Sequence, residues 1–159
     1  MRLSTKGRYA VRAMVDVAMH DADGPVPREQ IADRQEVSAL YLAQLLAKLG
    51  KAGLVDSVKG PGGGYLLARP ASEIRAGDII RAVEEPLAPV ACVDDPPDEP
   101  CHRRAECVTH LLWTELGQHI ESFLDGVTLQ DLSDQARALT HGAVMAGTDL
   151  AGSRLLQQT

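Results

Sequence analysis

From Ser38 to Ala52 the chain repeats apolar residues at helical spacing, so that Leu42, Leu45, Leu46 and Leu49 share one stripe. Leu40, Ala43, Gln44, Ala47 and Lys51 fall on the opposite face. Ser38 suits the N-cap of such a helix and Gly53 its close. A helix that merely faces water carries several Glu and Lys on its outer side. Here that side is small, flat and nearly uncharged, which favours close approach by a partner. Just upstream, Pro27 suits the first position of a shorter helix that turns Ile31 and Ala32 inward and ends near Gln35. A short helix, a tight turn and a second helix with a bland outer face is the helix-turn-helix arrangement, whose second helix enters the DNA major groove. Gln44 can then read adenine, and Leu40 and the alanines can meet thymine methyl groups.

Leu54 to Val58 and Tyr65 to Ala68 read as short strands joined by Lys59, Gly60, Pro61, Gly62, Gly63 and Gly64. A phosphate-cradling loop would need Lys-Ser or Lys-Thr after the glycines and then a helix, and neither follows. A hairpin directly after a recognition helix is instead a wing, whose bare tip lets its backbone and Lys59 approach the DNA backbone or minor groove. The net charge of -6 argues against a nucleic-acid partner only when taken whole. Residues 1–69 hold ten Lys/Arg against seven Asp/Glu, a net of +3, and residues 70–159 hold six against fifteen, a net of -9. The basic half is the half with the helix-turn-helix. It opens with an amphipathic helix over residues 5–19, in which Tyr9, Ala10, Ala13, Met14, Val17 and Ala18 form the apolar stripe. Lys6, Arg8, Arg12 and Asp16 lie off the centre of that stripe, and Arg2, Lys6 and Arg8 are candidate phosphate contacts.

All three cysteines lie in the acidic half, in the order Cys92, eight residues, Cys101, five residues, Cys107, then two residues to His110. Pro96, Pro97 and Pro100 keep residues 92–101 out of a helix. An apolar helical pattern begins near Ala105 and puts Cys107 and His110 three positions apart on one face. A loop pair and a helix pair can thus converge on one metal centre. An odd number of cysteines and no secretory signal argue against a disulfide and for a reducing, cytoplasmic compartment. Tetrahedral zinc accepts three Cys and one His, and so does an iron-sulfur cluster in which imidazole replaces a thiolate on one iron. Spacing does not separate the two. Read as a nucleophile and base, Cys107 and His110 lack a third orienting group and an oxyanion-hole motif, so no enzyme and no small-molecule substrate are expected.

Three segments carry a family resemblance: Met1-Arg-Leu-Ser-Thr-Lys-Gly-Arg-Tyr-Ala-Val-Arg-Ala-Met, Val37-Ser-Ala-Leu-Tyr-Leu-Ala-Gln-Leu-Leu and Val58-Lys-Gly-Pro-Gly-Gly-Gly-Tyr-Leu-Leu. They resemble the winged-helix domain of Rrf2-type bacterial transcription regulators, over residues 1 to about 132. With Cys107-Val-Thr-His-Leu-Leu-Trp113 added, the chain is most similar to the iron-sulfur cluster-sensing branch of that family. The resemblance implies a homodimer, a [2Fe-2S] cluster held by Cys92, Cys101, Cys107 and His110, and control of cluster-assembly genes. It is this resemblance that favours a cluster over zinc. Two departures stand out. Members of that branch usually have five residues between the first two cysteines where this chain has eight, which makes His102 an alternative imidazole. Close relatives also tend to present an acidic residue where this chain has Ala43, and its loss removes a preference for cytosine.

The expected architecture is mainly α with a small β-hairpin wing, a winged helix-turn-helix domain plus a long dimerisation helix. Residues 1–69 form the DNA-binding domain, 70–132 a linker helix, cluster-binding loop and dimerisation helix, and 133–159 a flexible tail. The linker helix is expected over Ser72 to Val83. Leu112, Trp113, Leu116, Ile120, Phe123 and Leu124 make the long helix mostly core, with part left for a partner, and Thr128 and Asp131 cap a last short turn through Leu132. The expected DNA contacts, to a pseudo-palindromic double-stranded operator, are Ser38, Leu40, Ala43, Gln44 and Lys51 on the recognition helix, Lys59, Gly60 and Gly62 on the wing, and Arg2, Lys6 and Arg8. No apolar run approaches the roughly 20 residues that span a bilayer. A nitric-oxide or redox-responsive repressor of the same family is the alternative within the class. A zinc-stabilised interaction module without DNA binding is the alternative outside it, and the glycine wing and bland helix face argue against that.

Overall fold

The computed structural model describes residues 4–83, 87–93 and 103–140. Helix α1 (Thr5–His20) starts where the Ser4 hydroxyl accepts from the Lys6 amide. Helix α2 (Arg28–Gln35) follows, with Pro27 as its N-cap, one position earlier than expected from sequence. Helix α3 (Ala39–Lys51) is capped by Ser38, whose hydroxyl accepts from the Tyr41 amide at 3.2 Å. Between α2 and α3 the turn passes through Glu36 at φ 53°, a left-handed position held by a residue with a Cβ.

Strands β1 (Val55–Val58) and β2 (Gly64–Leu67) pair antiparallel, Val55 opposite Leu67 and Val58 opposite Gly64. The hairpin tip closes with the Gly63 amide on the Gly60 carbonyl at 2.9 Å. Pro61 and Gly62, the latter at φ 75°, fill the two central positions as in a type II turn. The base of the wing is tied to the turn before α2, where Val26 and Tyr65 exchange both backbone hydrogen bonds at 2.9 Å. A Cβ at Gly64 would fall on the Val26 carbonyl, so glycine is what lets this third strand close in.

The core is shared by Met14 and Val17 of α1, Ile31 of α2, and the predicted stripe Leu42, Leu45, Leu46 and Leu49 of α3. Leu54, Ile74, Ile79, Val83 and Leu129 complete it. The linker differs from expectation. A 3-10 turn over Ala71–Glu73 is followed by extended backbone, and helix α4 (Ala76–Ala82) begins only there, with Asp78 reaching back to the Arg75 amide. The extended piece has a purpose: Ala76 donates to the Val127 carbonyl at 2.9 Å and Leu129 to the Ile74 carbonyl at 2.8 Å, a two-rung clasp between residues 74–76 and 127–129.

Helix α5 (Val108–Gly126) is as long as its pattern requires, but it is not core: Gly117 is its one buried residue. Val108, Leu111, Leu112, Leu116 and Phe123 are exposed, with Val108 at 79% and Leu111 at 70%. Periodicity reported an apolar face and nothing about what covers it. Helix α6 (Leu129–Thr140) corrects the other C-terminal expectation, because the chain does not stop at Leu132 or loosen at residue 133. Thr128 and Asp131 cap it reciprocally as read from sequence. It then continues to Thr140 against α1, burying Ser133 and sending Arg137 to the Ala18 carbonyl at 3.0 Å. Residues 141–159 lie outside the described residues.

Candidate nucleic-acid interface and metal centre

Burial of four leucines on one side of α3 leaves its other side facing out. Leu40 is 75% exposed, Gln44, Ala47 and Lys51 are exposed, and Ala43 is half-buried. The Ser38 hydroxyl accepts the Tyr41 amide and keeps its own proton to donate. On the wing, Lys59, Gly60, Pro61 and Gly62 are all exposed, and a Cβ at Gly62 would meet nothing within 4 Å, so a surface can reach the backbone there. Lys6 and Arg8 are exposed on the first turns of α1, and Arg2 lies outside the described residues.

The first turns of α3 are steadied by a network that local sequence patterns missed. Asp16, 3% exposed, sits among the apolar residues of α1. Arg34 of α2 donates to both its oxygens, at 2.6 Å and 3.0 Å, and the Gln35 amide donates to it at 2.8 Å. The Asp16 carboxylate in turn raises the Arg34 pKa. Gln35 also accepts twice from Arg12, through its side-chain oxygen at 2.9 Å and its backbone carbonyl at 3.2 Å. The Arg12 guanidinium lies 5.2 Å from the Tyr9 ring centroid, and Tyr9 meets Tyr41 of α3 edge-on at 6.2 Å.

The sulfur-rich stretch is partly described. Cys92 sits in a 3-10 turn (Ala91–Val93) that packs on α5, where Pro89 lies close enough to Gly117 that a Cβ would be 3.3 Å from its ring. Cys107 is the N-cap of α5 rather than a residue of its first turn. His110 follows one turn in, its amide donating to the Cys107 carbonyl at 3.0 Å. Cys101 and the alternative His102 lie outside the described residues, and among the described ones no three Cys, His, Asp or Glu side chains gather as metal ligands. The Cys107 thiol is held below its ordinary pKa first by the Thr109 hydroxyl, 3.1 Å from Sγ, and then by the amides at the start of α5. Nδ1 of His110 is enclosed and has no hydrogen-bond partner among the described residues. A thiol disposed to ionise, one turn from an enclosed imidazole nitrogen without a partner among the described residues, fits the chemistry of a soft metal centre.

At its far end α5 is fixed. Arg81 of α4 donates to Asp125 at 2.7 Å and to Asp78 at 3.1 Å, and Gly77 has no room for a Cβ because the Asp125 carboxylate occupies the space. Among the described residues no helix is long and apolar enough to cross a membrane.

Comparison with known proteins agrees with this geometry. The family model Rrf2, described as an iron-dependent transcriptional regulator, matches residues 3–135. The HTH-type transcriptional regulator IscR of Yersinia enterocolitica is 51% identical over 132 residues, which are 83% of this chain and 79% of that one. Among solved structures, T. potens IscR superposes with a TM-score of 0.69 at 40% identity, covering 93% of this chain and 94% of that one. CymR, the global cysteine regulator of B. subtilis, superposes at 0.68 and 38% identity, covering 85% and 98%. These relatives are regulators and not enzymes. A helix-turn-helix with a glycine wing, a family match across most of the chain and half-identical relatives together make this chain a member of the Rrf2 family of transcriptional regulators, of the IscR type.

Proposed function

We propose that the chain senses iron-sulfur cluster status through a [2Fe-2S] cluster and controls iron-sulfur cluster assembly genes from the cytoplasm. The observation that carries this is the start of α5, where a thiol of lowered pKa stands one turn from an enclosed imidazole nitrogen without a partner. Relatives named IscR support it. Cys92, Cys101, Cys107 and His110 would hold the cluster, which supplies one-electron redox chemistry at a potential that imidazole ligation raises. On the chain's side, Thr109 favours the anionic sulfur that a soft metal needs, and the clasp at residues 127–129 joins the ligand-bearing helix to the DNA-binding unit.

In the same reading Leu40, Ala43 and Gln44 meet base edges, while Ser38, Lys51, Lys59 and the backbone of Gly60 and Gly62 hold the DNA backbone or minor groove. Arg2, Lys6 and Arg8 add phosphate contacts. Two copies joined through the exposed faces of α5 would present paired recognition helices to a pseudo-palindromic duplex.

The test is an absorption spectrum of anaerobically purified protein with iron, sulfide and zinc analysis, repeated on variants. Cys101→Ala and Cys107→Ala should abolish visible absorption, and His110→Ala should perturb it where His102→Ala does little. Stoichiometric zinc without sulfide would replace this reading with a zinc-stabilised module, and loss from His102→Ala alone would reassign the imidazole.

A further inference from the structure

We propose that Arg12 is a positioning residue that fixes the pose of the recognition helix, and so sets sequence preference without touching a base. This rests on α3 being the reading helix. Leu42, Leu45, Leu46 and Leu49 anchor α3 in the core along its length, and its first turns, which also carry the outward-facing Leu40 and Gln44, lie next to a turn that runs through left-handed Glu36. Arg12 holds that end from two directions. Its guanidinium fork takes both the side-chain oxygen and the backbone carbonyl of Gln35, the residue at which α2 gives way to the turn. The same group lies over Tyr9, whose ring meets Tyr41 on the first turn of α3.

The chemistry of Gln35 gives this arrangement a single hydrogen-bonding solution. Its amide nitrogen donates to buried Asp16 and its amide oxygen accepts from Arg12, so flipping the amide would set donor against donor and acceptor against acceptor. Asp16 is in turn fixed by Arg34. The site uses a planar, forked cation that can bond two acceptors while lying over an aromatic ring, and lysine has neither the plane nor the fork. Arg12 also lines an apolar groove of about 410 Å3 that Phe123 and Leu124 of α5 line as well, so the residue that steadies the reading helix and the end of the ligand-bearing arm share one groove.

The test is titration of full-length, anaerobically purified protein against two duplexes at several salt concentrations. One duplex is enriched from a random-sequence pool by the wild-type protein and the other is its scrambled counterpart. Active fraction is set by stoichiometric titration, and the melting midpoint is recorded. Arg12→Met and Arg12→Lys should each weaken binding to the selected duplex by about tenfold, the scale of a lost charge-assisted contact, with scrambled-duplex affinity and salt slope unchanged. Gln35→Met should do the same, and the Arg12→Met/Gln35→Met double variant should lose no more than either single one. Rescue by Arg12→Lys, or equal loss on both duplexes with the salt slope lower by about one per protomer, makes Arg12 a phosphate contact and overturns the proposal. A change confined to active fraction and melting midpoint, with the selected-to-scrambled ratio kept, overturns it as well. Gln44→Ala is run alongside. If that variant keeps the ratio, reading by α3 fails and the proposal with it; if it loses the ratio and Arg12→Met does not, the Arg12 proposal alone fails.

Discussion

Helices α3 and α5 are both amphipathic, and they dispose of their apolar faces in opposite ways. In α3 four leucines close into the core of their own chain, and Leu40, Gln44, Ala47 and Lys51 remain outside. In α5 the apolar face is wider, yet a single copy buries little more than Gly117 and leaves three leucines, a valine and a phenylalanine in water. The first helix belongs to a unit that is complete alone. The second leaves its apolar face open in a single copy, and under the proposed dimer the difference would separate what a mutation does to stability from what it does to assembly.

The largest effect is expected from Leu46→Ala, which opens a cavity in the closed unit. It should cost about 2–5 kcal/mol by urea denaturation, at any protein concentration. Arg34→Met comes next: it leaves the buried Asp16 carboxylate without its guanidinium and with the Gln35 amide as its remaining close donor, and a loss of about 3 kcal/mol is expected because breaking a buried pair costs more than the pair contributes. Leu112→Asp on the open face should leave dilute protein as stable as wild type while removing about 1.5–3 kcal/mol per protomer from self-association, read as a lower mass in sedimentation. Wild-type mass for that variant would erase the contrast between the two helices. Smaller still, Glu36→Gly relieves a left-handed Cβ at the α2–α3 turn but loosens the unfolded chain, for a net gain below about 1 kcal/mol in thermal unfolding. Last, Thr109→Val removes the hydroxyl that favours ionised Cys107. In metal-free protein the pH midpoint of Cys107 alkylation should therefore move upward, and an unmoved midpoint would assign the lowered pKa to the helix start alone.

The closed unit was the legible one. Leucine spacing located α3, the glycines located the wing and Thr128 with Asp131 located a cap, because each is written within a few residues of itself. Asp16 was not legible: its burial depends on Arg34, eighteen residues away on another helix, and no local period reports such a pair. The length of α6 escaped for a related reason. Past Leu132 its inward face carries buried Ser133, whose hydroxyl donates to the Gln130 carbonyl of the same helix, and Arg137, which donates to the Ala18 carbonyl of α1, and residues of that kind add little apolar weight to a sequence pattern. For the metal centre, spacing supplied the donor types, while the choice of cluster over zinc came from family resemblance, since softness and nuclearity are not encoded in distances along a chain.

The clasp between residues 74–76 and 127–129 has an evolutionary reading. The chain runs on from the extended residues 74–76 into α4, and after α5 residues 127–129 return to pair with those same extended residues, so the stretch between begins and ends at one place. Residues can be gained or lost inside such a stretch without moving the register of α1, α2, α3 or α6. Under the proposed reading, the DNA-binding unit and the metal-binding stretch would then be separable parts, the second encoded by a single uninterrupted stretch of gene.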